Sequence, residues 1–327
     1  MKASVCLLTY NQEEYISQAI EGILQQKTNF NFELVIGEDH SSDGTERICK
    51  QYADKYPDII RLKSNISNFG LLKNFVNTVA SCEGKYIAYC EGDDYWTNSF
   101  KLQKQVEILE SDPEISLVHT QYQNLFVKEN RLEFVGRPDK ISPCETRYGI
   151  ESLIDLLNGN FVWTRPTTFC FRKQHIQYLI ESDIELYTSE KYRTFDFQLL
   201  AELSVLGKLR MLNESTIVYR RFEESISSTN DIMKRLEYDI SIYKTGFYLI
   251  RKYKISFETV RKFFDNLLGA ILFYIFQYNK FGIDLDFLNK SVKRKLKLSH
   301  KILLAILNNR FIFRYFRFIL LLWNRFR

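Results

Sequence analysis

Residues 84–96 read GKYIAYCEGDDYW. Lys85–Cys90 is a short apolar and aromatic run that predicts a buried strand. It stops on Glu91-Gly92-Asp93-Asp94, three carboxylates within four residues. The same alternation extends to both sides. Upstream, the spacing predicts strands over Ala3–Leu8, Phe32–Gly37 and Ile59–Leu62. Between them it predicts helices over Glu13–Gln26, from Asp43 to about Tyr56, and over Leu71–Ser81. In the first helix Ile16, Ile20, Ile23 and Leu24 recur at helical spacing, and Asp43-x-x-Glu46 reads as a capping pair for the second. Downstream follow a helix over Phe100–Leu109 and strands over Leu117–Phe126 and Phe134–Val135. Strands separated by helices of this length imply βαβ units, hence an α/β fold with a mostly parallel sheet.

The chain has 327 residues, enough for one large domain and a smaller one. With 45% apolar and 26% charged residues it is not a disordered, collagen-like or multi-span membrane chain. Six scattered cysteines without a C-x-x-C suggest buried thiols in a reducing cytosol. The first apolar run is too short for a signal peptide and reads as a strand. Charge is uneven. After Asp286 there is no acid but eleven Lys and Arg; removing those eleven from the net charge of +5 leaves −6 for residues 1–286. From residue 240 onward there are 20 aromatics and three glycines, which predicts a helical region. The expected boundary falls near Ser225–Asn230, giving a catalytic domain over 1–228 and a helical, basic, aromatic-rich region over 229–327.

In open parallel sheets ligands sit outside the carboxyl ends of the strands. There the sequence places Thr9-Tyr10-Asn11, then Glu38-Asp39 through Asp43-Gly44-Thr45, then Glu91 to Asp94. Two strand ends thus deliver acids to one rim, and crowded carboxylates repel unless a cation joins them. A hard divalent ion with oxygen ligands fits. A zinc-type site does not, since the four histidines show no H-x-x-x-H and no cysteine pair accompanies them. No G-x-G and no phosphate-binding P-loop occur, so a nucleotide would be held by metal and carboxylates.

These residues resemble family-2 glycosyltransferases of the GT-A, Rossmann-like fold. The resemblance runs through Leu8-Thr9-Tyr10-Asn11, Glu38-Asp39-x-Ser41-x-Asp43-Gly44-Thr45, Asn68-x-Gly70 with Asn74, and Gly84-Lys85-Tyr86-Ile87 into Glu91-Gly92-Asp93-Asp94. It continues to about residue 225 through Phe195-Asp196-Phe197, Gly207-Lys208 and Tyr219-Arg220. It implies an inverting, non-processive transfer of a sugar from a nucleotide-diphosphate sugar to a carbohydrate or lipid-linked acceptor, of the kind that assembles bacterial surface glycans. Asp39 is similar to the acid that contacts the base, with Thr9, Tyr10, Asn11, Glu38, Asn68, Asn74, Glu91, Asp94 and Arg220 expected around the nucleotide sugar. Asp93 resembles the ligand to Mg²⁺ or Mn²⁺, and Asp196 resembles the catalytic base. The sequence departs from the family at Glu91, where an Asp is usual, at Phe195, where a second acid is common, and at Phe222, near an expected histidine. The Gln-x-x-Arg-Trp motif of processive synthases is absent.

Arg165, Arg172, Arg220 and Arg221 are candidate partners for phosphates, and Trp96 and Trp163 for a sugar or the core. In Lys290–Arg327 the cations Arg310, Arg314 and Arg317 recur on one helical face among Leu, Ile and Phe. That pattern predicts peripheral contact with a membrane, at its cytoplasmic face, rather than nucleic-acid binding. Packing of this segment on the enzyme is the other reading. Two alternatives to the transferase are a sugar nucleotidyltransferase and an inactive, membrane-associated interaction subunit.

Overall fold

The computed structural model describes residues 1–135, 145–160, 164–192, 194–223, 232–256 and 258–278. Its first half follows the expected alternation. β1 (Ala3–Thr9), β2 (Phe32–Glu38), β3 (Ile60–Ser64) and β4 (Tyr86–Glu91) pair in parallel, with α1 (Ile16–Leu24), α2 (Thr45–Lys55) and α3 (Leu71–Ser81) as the crossovers. Leu8 stands level with Gly37 on one side and Glu91 on the other, so β1, β2 and β4 end along one edge.

The central strand is buried along its whole length because both of its faces are covered. Alternation divides it: Val5 and Leu7 join a core with Ile16, Ile20 and Leu34, while Cys6 and Leu8 join another with Phe75, Val79 and Tyr89. At α2 the expected capping pair is replaced by a tighter turn. Asp43 Oδ1 accepts from Thr45 N at 3.0 Å and Thr45 Oγ1 at 2.6 Å, and Gly44 N donates to Glu13 Oε2 at 2.6 Å. Gly44 takes the cap position, and the side chains of Asp43 and Glu46 do not cap the helix.

The second half mixes directions. It contains β5 (Tyr95–Trp96), α4 (Lys101–Ser111), β6 (Ile115–Phe126), β7 (Arg131–Val135), α5 (Ile150–Leu157), β8 (Cys170–Arg172), α6 (Lys173–Ser182), α7 (Ile184–Thr188), α8 (Phe195–Leu206) and β9 (Lys208–Arg221). The sheet order is β3-β2-β1-β4-β8-β6-β9-β5, with β7 on β6. β8 runs antiparallel to β4 and β6, and β9 runs parallel to β6 and antiparallel to β5.

Beyond residue 229 the chain forms α9 (Ile232–Lys252) and α10 (Arg261–Tyr278). Phe247, Leu249, Ile250, Phe263 and Phe264 are buried in one cluster with Leu153, Tyr187 and Phe195. Polar links reinforce this packing. Lys252 Nζ lies 2.8 Å from Glu202 and 2.9 Å from Asp183, and the Thr194 and Thr245 hydroxyls are 3.0 Å apart. Among the described residues no helix is long and apolar enough to cross a membrane. Trp163 and segment 290–327, with its expected membrane contact, lie outside the described residues.

Candidate active site

The edge where β1, β2 and β4 end is built by loops that hold one another. Asn11 and His40 adopt left-handed backbone conformations, with φ of 52° and 61°, directly after the two strands. Asn11 N donates to Ser41 Oγ at 2.9 Å, and Asn11 Oδ1 accepts from Ser42 N at 2.8 Å, so the β1 and β2 loops are stitched together. Glu38 accepts from Ser41 N at 2.8 Å and His40 N at 3.1 Å and shapes the same loop from beneath. Tyr10 is exposed on the rim, whereas Thr9 is buried and donates to Gln12 Oε1 at 2.8 Å.

Asp39 organises the loop into α3. Its Oδ1 accepts from Asn65 Nδ2 at 2.8 Å and Phe69 N at 2.9 Å, and its Oδ2 accepts from Gly70 N at 2.8 Å. Gly70 needs its φ of +81° to offer that N–H, which also donates to Asn68 Oδ1 at 3.0 Å. Asn74 is buried and donates to Gly37 O at 2.9 Å while accepting from Asn65 Nδ2 at 3.0 Å. Asp39, Asn68, Gly70 and Asn74 thus form one polar assembly beside the end of β2.

The acids at the end of β4 converge. One carboxylate oxygen each from Glu91, Asp93 and Asp94 lie within 4.8 Å of one another. Asp94 is fixed: Oδ2 accepts from Thr167 Oγ1 at 2.7 Å and Oδ1 from Arg220 N at 3.0 Å. Thr167 sits in a single 3-10 turn, Pro166–Thr168, that precedes β8. Arg220 donates from its guanidinium to the Asp93 carbonyl and to Gln18 Oε1, held between the rings of Tyr15 and Tyr95 at 4.8 and 4.7 Å. It therefore shapes the acidic turn. Gly92 allows the turn to lie against β1, since a Cβ there would meet Gln12 Oε1 at 2.5 Å and Thr9 Oγ1 at 2.7 Å.

Crowding and burial oppose ionisation here. Burial, then Asp93 and Asp196, push the Glu91 carboxyl up to about 8, against the opposing pull of Arg165. Burial raises Asp93, countered by Arg220 and Gln12. Asp94 is held well above the usual carboxylate range by burial and by its two acidic neighbours. Asp196, in the first turn of α8, is raised by burial and steadied by the Phe197 N–H at 2.8 Å and by Arg165. The structure thus brings Asp196, from a helix a hundred positions away, to the β4 acids.

The donor set is all carboxylate oxygen and each acid is raised, which suits a hard divalent ion such as Mg²⁺ or Mn²⁺. Both Asp94 oxygens are engaged by Thr167 and Arg220, which leaves Asp93 and Glu91 with the freer oxygens.

Residues 4–177 match the family described as glycosyl transferase family 2, more than half of the chain. The chain belongs to that family. An uncharacterized protein of Mycobacterium tuberculosis is 33% identical over 223 residues, 68% of this chain; the match spans 60% of that relative's own length. Among solved structures, residues 1–349 of S. aureus TarS in complex with UDP-GlcNAc superpose with a TM-score of 0.57 at 19% identity, covering 92% of this chain and 78% of that one. A mannosyltransferase from Pyrobaculum calidifontis, in complex with GDP-Man and Mn²⁺, gives 0.55 at 14% identity over 96% of this chain and 82% of its own. These likenesses show the GT-A fold.

Of the three departures, Glu91 belongs to the acidic cluster, and Phe195 and Phe222 are packing residues. Phe195 is buried against Phe75 and Tyr89, with ring centroids at 4.5 and 5.1 Å, and fixes the start of α8. Phe222 packs on Tyr15 at 5.2 Å, behind Arg220. Of the other candidates, Trp96 is core, with the Lys101 ammonium 4.0 Å from its ring centroid. Arg172 is buried and donates to the carbonyls of Ile115 and Asp112. Arg221 lies over the Phe126 ring at 5.4 Å. Arg165 stacks on Tyr219 at 4.2 Å, its buried Nε has no hydrogen-bond partner, and its charge acts on both Glu91 and Asp196. Sequence patterning has no signal for Thr167, which reaches Asp94 from 73 positions away, or for Gln12, which accepts from Thr9 beneath the acidic turn.

Proposed function

We propose that this protein transfers a sugar from a nucleotide-diphosphate sugar to an acceptor hydroxyl in one inverting, non-processive displacement. The observation that carries the reading is the convergence of a metal-type carboxylate cluster with a separate buried acid, Asp196, at the strand ends of a GT-A fold. Asp93, with Glu91 and Asp94, would hold Mg²⁺ or Mn²⁺, which when bound neutralises charge on the diphosphate leaving group. The Asp39 assembly with Thr9 and Asn11 shapes the nucleotide side. Asp196 accepts the proton of the attacking hydroxyl, and burial makes it a stronger base than an exposed aspartate. The donors named for the two solved relatives, UDP-GlcNAc and GDP-Man, support the donor class. The acceptor class implied by the resemblance is a surface polysaccharide or glycoconjugate, and the basic tail would hold the enzyme at the membrane face. Loss of liposome association on deleting residues 288–327 checks the last point.

The test is a screen of nucleotide sugars for thermal stabilisation with and without Mn²⁺, followed by turnover of the best donor. Metal-dependent stabilisation with release of nucleoside diphosphate is expected. Release of pyrophosphate would instead establish a nucleotidyltransferase, and no response to any donor would leave the interaction-subunit reading.

A further inference from the structure

One face of α9 carries chemistry that the donor side does not use. Lys244, Phe247, Tyr248, Arg251 and Lys252 fall at i, i+3, i+4, i+7 and i+8, a single helical stripe. With Lys191 and Tyr192 opposite, they line a cavity of about 750 Å³, within the usual range of small-molecule sites. All the ionisable side chains of the lining other than tyrosine are cations.

The cations are not equivalent. Lys252 is engaged by Asp183 and Glu202, and Lys191 meets the exposed Glu185 at 3.2 Å. Lys244 and Arg251 have no carboxylate partner among the described residues. The aromatic faces are fixed. The Tyr192 and Tyr248 rings lie 5.1 Å apart and tilted by 58°, and Tyr248 donates to Asp183 at 2.8 Å. Fixed aromatic faces with unpaired cations suit a ligand that presents both apolar C–H faces and anionic oxygens.

The cavity adjoins the catalytic side. Tyr192 precedes Asp196 by four residues, so their Cα atoms are at most ~14 Å apart. The Thr194–Thr245 hydroxyl pair, at 3.0 Å, joins the residue before α8 to the buried neighbour of Lys244 on α9.

We propose that the cavity is an acceptor subsite for a phosphate-bearing saccharide: Lys244 and Arg251 take the phosphate oxygens, and Tyr192 and Tyr248 pack on sugar rings. The proposal rests on the transferase reading for its role and on the cavity for its chemistry. A lipid surface is disfavoured because the cations line a concavity, which a planar sheet of headgroups does not enter.

The test uses the full chain with fluorescein-labelled phosphomannan and the same polymer after dephosphorylation, read by fluorescence anisotropy. The phosphorylated polymer should bind about tenfold or more tightly than the neutral one. Lys244→Gln/Arg251→Gln should remove that preference, and Lys244→Arg/Arg251→Lys should keep most of it. Tyr192→Ala should weaken both polymers. The Mn²⁺-dependent donor stabilisation, measured on the same samples, reports folding and the donor site separately. Equal binding of the two polymers by the wild type overturns the subsite, as does a preference that survives Lys244→Gln/Arg251→Gln. So does binding to phosphatidylglycerol vesicles, sensitive to that double variant, without binding to phosphomannan. Intact polymer preference with no donor response sinks the transferase reading and leaves the site.

Discussion

Metal affinity should climb steeply with pH, and Glu91 sets the window. Its carboxyl is pushed up to about 8, first by burial and then by Asp93 and Asp196. A divalent ion takes the deprotonated form, so below that value binding must expel a proton. One proton per ion makes apparent affinity fall toward tenfold per pH unit below that value, ~1.4 kcal/mol each, or about 50-fold from pH 8 to pH 6. Asp93 and Asp94 are raised as well, in the same direction. Without metal the sign reverses. An unfolded chain releases this proton near the ordinary 4.5, whereas the folded protein keeps it to about 8. The folded state therefore binds more protons between those values, and stability falls as pH rises through the window. Titration calorimetry with Mn²⁺ at pH 6, 7 and 8, in buffers of different ionisation enthalpy, gives both affinity and proton count. Melting temperatures with and without Mn²⁺ give the stability side. Glu91→Gln removes the titrating group and should cut the proton release by about one at pH 6. The same Mn²⁺ affinity at pH 6 and pH 8, or binding without proton release, refutes the reasoning.

Asp196→Asn should lower kcat by about 10²–10⁴-fold while leaving donor binding within a few-fold, because the base acts on the acceptor proton; steady-state kinetics with a donor from the screen decide it. Gly92→Ala forces a Cβ to 2.5 Å from Gln12 Oε1. The displaced turn should cost about 1–3 kcal/mol in urea unfolding and weaken Mn²⁺ by tenfold or more; a variant with native affinity would show that the turn is not pinned against β1. Thr167→Val strips a buried carboxylate oxygen of Asp94 of its donor, for an expected loss of about 1–3 kcal/mol that Thr167→Ser should largely restore.

What the sequence shows plainly is the half of the fold built from local pattern. β1, β2 and β4 are apolar runs of six or seven residues, and the expected α3, Leu71–Ser81, coincides with the observed helix. β5 and β8 have two and three residues, too short for any period to register, and their existence depends on partners far along the chain. The site divides in the same way. Asp93 and Asp39 announce themselves because each follows a readable strand. Thr167 and Arg165 sit in one turn before β8 and meet acids some 70 positions earlier, which no local spacing can reveal. The departures at Phe195 and Phe222 also become intelligible only in three dimensions, as rings that hold Asp196 and Arg220 in place.

The charge balance of the site ties these strands together. Four acids converge, Glu91, Asp93, Asp94 and Asp196, and the guanidiniums that act on them are Arg165 and Arg220. If all four ionised, two negative charges would stand uncompensated in a buried setting, where such charge is costly. Burial raises all four, and acidic neighbours add to the rise of Glu91 and Asp94. A divalent cation would supply the same two charges in place of the proton it expels, and its charge would act on Asp196 as well as on the β4 acids. Binding the ion would therefore do two things at once: it would settle the acids of β4 and lower the affinity of Asp196 for its proton toward the ordinary aspartate range. Asp196 would thus be ionised, and ready to accept the acceptor's proton, in the state in which the diphosphate leaving group is neutralised. With Asp196 as the base, its readiness would depend on the metal through charge alone, without any moving part.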